Sequence, residues 1–351
     1  MKIYIEGYFN CNLGDDLFFY TILNRYKDIE FYTCTNNEIV NNFENLHYIR
    51  YNKYINKILR ILHLEKFSRK MKIIKKMDAI VLLGGSMFIE SSKKMENNKY
   101  NYLKKTSIPY FIIGTNFGPY KTEEYFNNSV ELFKKAKDVT VRDTKTYNLF
   151  VKTIRNIRKA PDIMFSIRKR DNKINVETKK KVIISVINPK GRDICESNYI
   201  ENIVNICAYF NERGYEICFM SFCKDEGDEE EINKICKIIN GKNIVKYCYR
   251  GNIEEALEQI RTSEIIVGSR FHANILGLAY NKRIIPLAYS DKTINALEDI
   301  DFNGKIFDMR KKEKIELNDK ILERVEYKNI FDDSDDIHFL ELDKYIKEVE
   351  F

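Results

Sequence analysis

The stretch Glu264-Ile265-Ile266-Val267-Gly268-Ser269-Arg270-Phe271-His272-Ala273 reads as a short buried strand, a tight turn and the start of a helix. A strand apolar along its whole length suits a parallel sheet covered by helices on both faces. The helix start leaves backbone N–H groups unsatisfied and carries about half a positive charge, so a phosphate or carboxylate is stabilised there before any side chain acts. Arg270 adds a fixed cation and His272 a titratable one. Twenty residues on, Tyr289-Ser290-Asp291-Lys292 supplies a further cation after the apolar run Arg283-Ile284-Ile285-Pro286-Leu287.

The same grammar extends in both directions. Apolar runs at Lys2–Ile5, Glu30–Thr33, Ala79–Leu83, Pro109–Ile113 and Asp138–Val141 predict strands. Between them, Asp15–Tyr26, Lys93–Lys104, Glu123–Ala136 and Thr144–Lys152 predict helices. After Ala160-Pro161-Asp162 the polar, Lys-rich stretch Arg168–Lys181 reads as a linker. A second alternating set begins at Val182–Val186 and continues through Ile217–Met220, Ile244-Val245, Ile265–Val267 and Ile284-Ile285. Strands alternating with helices imply parallel sheets. Two such sets imply an α/β chain of two Rossmann-like domains, residues 1–172 and 173–351, facing each other across a cleft, with ligands beyond the strand C-termini. The final segment, Leu340–Glu350, reads as a helix at the surface or returning to the first domain.

Length and composition agree with that division. At 351 residues the chain is too long for one ordinary core and suits domains of about 150 to 180 residues. With 44% hydrophobic and 32% charged residues it can bury sizeable cores. The start, Met1-Lys2-Ile3-Tyr4-Ile5-Glu6, lacks the pattern of a secretory leader, and no window approaches the roughly 18 apolar residues of a membrane span. The eight cysteines form no C-x-x-C pair, which argues against zinc, and Cys207, Cys218 and Cys236 sit in apolar runs as small core residues do. A reducing, cytoplasmic setting follows.

The net charge of +7 admits nucleic acid, a membrane surface or an anionic substrate. No nucleic-acid motif is present, so no nucleic-acid partner is expected. From Lys53 to Lys76 nine cations face the single acid Glu65, and Ile55, Ile58, Leu59 and Leu62 fall at helical spacing. That stretch is either an amphipathic helix for anionic headgroups or a solvated helix of a Lys-rich chain.

Glycines follow the strands of the first half at Gly7, Gly14, Gly84, Gly85, Gly114 and Gly118, all on one rim of the sheet. None fits G-x-G-x-x-G or G-x-x-x-x-G-K-[ST], which argues against NAD and P-loop chemistry. Asp15 and Asp16 can cap a helix and offset its dipole. His272 stands apart from His47, His63 and His338, which lack charged motifs around them. Arg142, at a strand end, is either a ligand or the partner of Asp143 or Asp138.

Together these pieces resemble the polysaccharide pyruvyl transferase family. The resemblance rests on Gly7-Tyr8-Phe9-Asn10 with Asn12-Leu13-Gly14-Asp15-Asp16, Gly84-Gly85, Gly114-Thr115-Asn116-Phe117-Gly118-Pro119, Val141-Arg142-Asp143, Ala160-Pro161-Asp162, Gly268–Ala273 and Tyr289–Lys292. Asn116 stands where the family commonly has a second glycine, and Phe271 where leucine is usual. The resemblance implies a GT-B-like fold and transfer of a pyruvyl group from phosphoenolpyruvate to a sugar as a ketal, with phosphoenolpyruvate as co-substrate and neither cofactor nor metal. Phosphoenolpyruvate carries a phosphate and a carboxylate, so convergent cations are needed to hold it. On that reading His272 and Arg270 are catalytic, and Arg142, Arg270, Lys292 and Ser269 bind the donor. Asn10, Gly14, Asp15, Gly84, Gly85 and Asn116 contact the acceptor sugar. A polyprenyl-linked acceptor at the inner face of the plasma membrane would give residues 53–76 a purpose. A nucleotide-sugar glycosyltransferase and a non-catalytic sugar-binding member are the alternatives.

Overall fold

A computed structural model describes residues 1–35, 43–50, 54, 68–167, 176–239, 243–323 and 334–350. In chain order the first sheet is built from β1 (Lys2–Glu6), β2 (Glu30–Cys34), β3 (Leu46–Ile49), β4 (Ala79–Leu83), β5 (Tyr110–Thr115), β6 (Asp138–Val141) and β7 (Ile157–Lys159). The second sheet uses β8 (Lys181–Ser185), β9 (Glu216–Ser221), β10 (Ile244–Cys248), β11 (Ile265–Gly268), β12 (Arg283–Ala288) and β13 (Phe307–Asp308). The helices are α1 (Leu13–Arg25), α2 (Arg69–Ile74), α3 (Lys94–Asn97), α4 (Glu123–Lys135), α5 (Thr144–Phe150), α6 (Glu196–Glu212), α7 (Asp228–Ile238), α8 (Ile253–Thr262), α9 (Phe271–Ala279), α10 (Asp291–Glu298) and α11 (Ser334–Glu350).

The first sheet runs β3-β2-β1-β4-β5-β6-β7 and the second β10-β9-β8-β11-β12-β13, with every pairing parallel. Strand order reverses between β1 and β4 in one sheet and between β8 and β11 in the other, and such switch points open crevices at the strand C-termini. The central strands β4, β5, β8 and β11 are buried at every position, as strands covered on both faces must be.

Helix α4 shows how the sequence fixes an element. Thr122 Oγ1 accepts the Tyr125 N–H at 3.2 Å, Glu123 and Glu124 occupy the first turn, and Lys134 and Lys135 the last. Capping and charge placement of this kind each stabilise a helix by about 1 kcal/mol or less. Its inner face buries Val130, Leu132 and Phe133, and the Phe133 ring meets those of Phe88 and Phe117 edge-on and that of Phe150 at a tilt.

The chain divides into two compact units. One comprises Met1–Phe9, Phe18–Ile163 and Ser334–Phe351; the other comprises Asn10–Leu17 and Met164–Asp333. This differs from the expected division at 172: the boundary falls between Ile163 and Met164, and two further segments change sides. Helix α11 belongs with the first sheet, where Phe339, Leu342 and Ile346 are buried and Tyr345 packs on Phe111. The segment Asn10–Leu17 belongs with the second, since the Leu13 N–H donates to Phe222 O at 3.0 Å and Asn12 bridges to Cys223.

The helix expected over Lys93–Lys104 is broken into α3 and a 3-10 turn at Asn101–Lys105. Asn97 uses its amide on the backbone of Ser91, accepting from N at 2.7 Å and donating to O at 2.9 Å, and so closes a loop instead of extending a helix. Residues 55–67, which hold the apolar stripe of the basic stretch, and residues 168–175 of the expected linker lie outside the described residues. Within the described part of that stretch, Lys70 pairs with Glu6 at 2.5 Å. Among the described residues no helix is long and apolar enough to cross a membrane.

Candidate active site

In the second unit the loops at the C-terminal ends of β8, β9, β11 and β12 carry the charged residues. The turn after β11 is fixed first by backbone: Ser269 N donates to Ser185 O at 3.0 Å and Arg270 N to Ser185 Oγ at 3.2 Å. Asn274, fully buried on α9, reaches back to donate to Gly268 O at 2.8 Å and Arg270 O at 3.3 Å. Ser269, expected as a donor ligand, is fully buried and its hydroxyl bonds to Tyr199 Oη at 2.8 Å.

Arg270 is 7% exposed and is surrounded by acids. Its Nε donates to Asp228 Oδ1 and Oδ2 at 3.1 and 3.2 Å, its Nη2 to Asp228 and its Nη1 to Glu226. Asp228 is itself pinned by the N–H groups of Phe222 and Cys223 at 2.9 and 3.0 Å. Burial opposes the Arg270 charge, but Asp228 and Glu226 overcome it and push its pKa further up. Burial would also raise Glu226; the charges of Arg270, Arg192 and Lys292 outweigh it and hold that carboxyl below its ordinary value.

His272, at the first turn of α9, is buried, with 9% of the residue exposed and its Nε2 covered. One ring edge lies directly on the backbone of Gly14: a Cβ at that position would fall 1.8 Å from His272 Nδ1. Gly14 is the second residue of α1, with its N–H on Asn12 Oδ1 at 3.0 Å, and Asp16 two residues on accepts from Tyr249 Oη at 2.7 Å. A further neighbour of the imidazole is the Phe271 ring, edge-on at 5.0 Å between centroids, and Lys292 Nζ sits 4.5 Å from the centroid of that same phenyl ring. Arg270, His272 and Lys292 are therefore brought together. Asn10, Gly14 and Asp15, expected with the glycine loops of the first domain, belong to this unit with them.

The first unit holds a separate cluster. Arg142, with a side chain only 2% exposed, donates from Nη1 to Asp162 at 2.7 Å and from Nη2 to Asn116 Oδ1 at 2.7 Å. Gly85 leaves room for it, since a Cβ there would lie 2.3 Å from the guanidinium carbon. The expected partners of Arg142 are engaged elsewhere: Asp143 caps α5 through Thr146, and Asp138 pairs with Arg158. Gly85 and Asn116 thus stand at the Arg142 cradle, while Gly84 faces Met87, and all three lie in a different unit from Asn10, Gly14 and Asp15.

Behind that cradle His338 of α11 is fully buried. Its Nε2 lies 2.7 Å from Pro161 O, which can only accept, so Nε2 carries the proton and Nδ1 accepts the Thr140 hydroxyl at 2.9 Å. Thr140 Oγ1 in turn accepts the Gly114 N–H at 3.1 Å. Burial lowers the His338 pKa to about 4. A cavity of about 690 Å³ lined by Arg213, Tyr215, Glu264 and Arg283 lies at the N-terminal ends of β11 and β12, the edge of the sheet away from the arginine and histidine.

Two segments 258 positions apart in the chain, around Gly14 and His272, thus form one contact, and both fall within residues 12–291, which match the model of the polysaccharide pyruvyl transferase family. The chain belongs to this family. A curated relative, the amylovoran biosynthesis protein AmsJ of Erwinia amylovora, is 19% identical over 263 residues, covering 68% of this chain and 62% of the relative. The match thus spans less than two thirds of the relative's length. Among solved structures, the UDP-GlcNAc 2-epimerase of Methanocaldococcus jannaschii superposes with a TM-score of 0.64 at 13% identity, covering 98% of this chain and 100% of that one. S. aureus MnaA, in a structure with UDP, gives 0.64 at 10% identity, covering 99% and 96%. These likenesses establish the fold, two parallel-sheet α/β domains of GT-B-like type, as the resemblance implied.

Several site residues were not legible as such. Arg192, Glu226 and Asp228 lie 78, 44 and 42 positions before Arg270, in a loop, a 3-10 turn and the start of α7, with no motif of their own. His338 looked like a lone helical histidine because its partners come from β6 and the Pro161 turn.

Proposed function

We propose that this family member transfers the pyruvyl group of phosphoenolpyruvate to a sugar of a polysaccharide precursor, forming a ketal and releasing phosphate. The observation that carries the reading is the contact between Gly14 and His272: the Asn-Leu-Gly-Asp-Asp segment packs on the imidazole, beside Arg270 and beside the phenyl ring under Lys292. A proton-transfer group flanked by cations suits an anionic enol ester.

In the proposed reaction His272 gives a proton to the enol methylene carbon, and a sugar hydroxyl adds to the adjacent carbon with loss of its own proton. The carbon–oxygen bond to phosphate then breaks, and the second hydroxyl adds at the same carbon. Of the two hydroxyl protons, one ends in the new methyl group and the other on phosphate. Arg270 and Lys292 oppose the charge on the donor and on the leaving phosphate. Asn10 and Asp15, in the segment that carries Gly14, supply polar groups for sugar hydroxyls. An acceptor carried on a polyprenyl lipid remains part of this proposal.

The test is donor specificity followed by substitution. Incubation with phosphoenolpyruvate and a panel of nitrophenyl and lipid-linked sugars should release phosphate and add pyruvyl mass to one acceptor, and His272→Ala should abolish turnover without loss of the fold. Nucleotide released from a sugar nucleotide, with none of this from phosphoenolpyruvate, would replace the reading with the glycosyltransferase one.

A further inference from the structure

Arg192 is the feature of the second unit that neither the family motifs nor the preceding reading uses. It follows β8 through the turn Asn188-Pro189-Lys190-Gly191, in which Arg192 N donates to Pro189 O at 3.0 Å and Lys190 N to Asn188 Oδ1 at 2.9 Å. Two contacts orient its guanidinium. Nε donates to Asn188 O at 3.0 Å, and the group lies 4.6 Å over the ring of Tyr289. Asn188 is itself seated against Gly227, where a Cβ would come within 2.7 Å of its amide nitrogen, so the β8 and β9 loops hold each other in register.

With Nε engaged and one face stacked, the remaining edge of the guanidinium is turned toward Glu226, with Nη2 3.7 Å from its carboxylate. That carboxylate also receives Arg270 and lies within the field of Lys292. Three cations therefore surround one side chain that is 30% exposed, and the second acid, Asp228, is buried and bound to Arg270. A guanidinium stacked and fixed at one nitrogen offers a paired N–H edge to phosphate oxygens, which accept it bidentately. The location is the β8/β11 switch point of the sheet, where ligands of such folds bind.

We propose that Arg192 is a donor-phosphate ligand of this site, acting with Arg270 and Lys292, and that the Glu226 carboxylate presents to the three cations the chemistry that a bound phosphate presents. This rests on the proposed function for the identity of the donor; the ligand class, a phosphate, is shared by phosphoenolpyruvate and by nucleotide sugars.

The test compares Arg192→Gln, Arg192→Lys and, as a control, Arg213→Gln, which removes another arginine stacked on a tyrosine, Tyr209, with its Cζ 3.5 Å from the ring centroid. Inorganic phosphate and phosphoenolpyruvate are titrated against each full-length protein by calorimetry, with KM and kcat measured alongside. Loss of a charge-assisted contact predicts affinity for both probes lowered roughly tenfold or more in Arg192→Gln. The loss should fall on KM more than on kcat, be partly restored in Arg192→Lys, and be absent in Arg213→Gln. Folded Arg192→Gln with wild-type affinity for both probes overturns the proposal, and it leaves the pyruvyl reading intact if the wild type still turns over phosphoenolpyruvate. Arg192-dependent phosphate binding by a wild type that never turns over phosphoenolpyruvate supports the phosphate site and removes the pyruvyl reading. Should Arg192→Gln fail to fold, Arg192→Lys decides, since it keeps the charge but not the forked edge and should still weaken both probes.

Discussion

Gly14→Ala isolates the contact on which the proposed chemistry rests. The added methyl carbon would lie 1.8 Å from His272 Nδ1 and 2.6 Å from both Cγ and Cε1. Non-bonded contacts settle at about 3.5 Å, so the imidazole must retreat by roughly 1.5 Å or more. A displacement of about 1 Å at a reacting group costs on the order of a hundredfold in rate. The effect on stability should be much smaller. Overpacking costs about 1–3 kcal/mol, and replacing a helical glycine by alanine returns up to about 1 kcal/mol of that. The expected result is therefore kcat reduced about 100-fold with a thermal transition lowered by no more than a few degrees. Phosphate release under saturating donor gives the first quantity and circular dichroism the second. A double-mutant cycle on stability sharpens the test: in the His272→Ala background the added methyl meets no ring, and the cost of Gly14→Ala to the thermal transition should disappear. A Gly14→Ala protein with kcat within threefold of wild type would refute the reasoning, because the ring would then have nothing to gain from its position against Gly14.

Phe271→Leu keeps apolar volume but removes the ring under Lys292, a cation–π contact worth about 0.5–2 kcal/mol; KM for phosphoenolpyruvate should rise severalfold, and an unchanged KM would count against a donor role for Lys292. Asp162→Asn leaves the buried Arg142 guanidinium without its counter-charge, and urea unfolding should show a loss of about 3–5 kcal/mol; a loss below about 1 kcal/mol would mean the pair is not what holds that cradle. His338 is neutral in the fold, its pKa lowered from 6.5 to about 4, so the unfolded chain takes up its proton first as pH falls. Its contribution to stability is complete above about pH 6.5 and is lost progressively toward about pH 4, up to about 3 kcal/mol. His338→Gln should flatten this part of the stability–pH curve, and an identical slope in both proteins would show that another group is responsible.

What could be read from the residues alone follows burial. Strands such as Ala79–Leu83 and Ile265–Gly268 are apolar at every position because both faces are covered, and they stand out from their surroundings. The strands that escaped notice, Leu46–Ile49, Ile157–Lys159 and Phe307–Asp308, are sheet edges or have two to four residues with polar members, too short to show a period. The Ser-Arg-x-His turn announced itself because backbone geometry and charge coincide within four residues. Its acidic partners did not, because an ion pair between loops of different strands leaves no spacing in the sequence. The substitution of Phe271 for leucine looked like a neutral apolar exchange, yet the ring carries a lysine. The glycine at position 14 reads as a turn residue and, through the family resemblance, as an acceptor contact; its packing against a histidine 258 positions away leaves no trace in the sequence.

The eight residues from Asn10 to Leu17 also constrain how this polypeptide can be cut and rejoined. Since they pack with Phe222, Tyr249 and His272, no single breakpoint yields two complete halves: a fragment starting at Met164 would lack the floor beneath its imidazole. Exchanging halves between relatives at one crossover would therefore pair a histidine from one parent with a glycine segment from the other, and only parents matched at both places should give working hybrids.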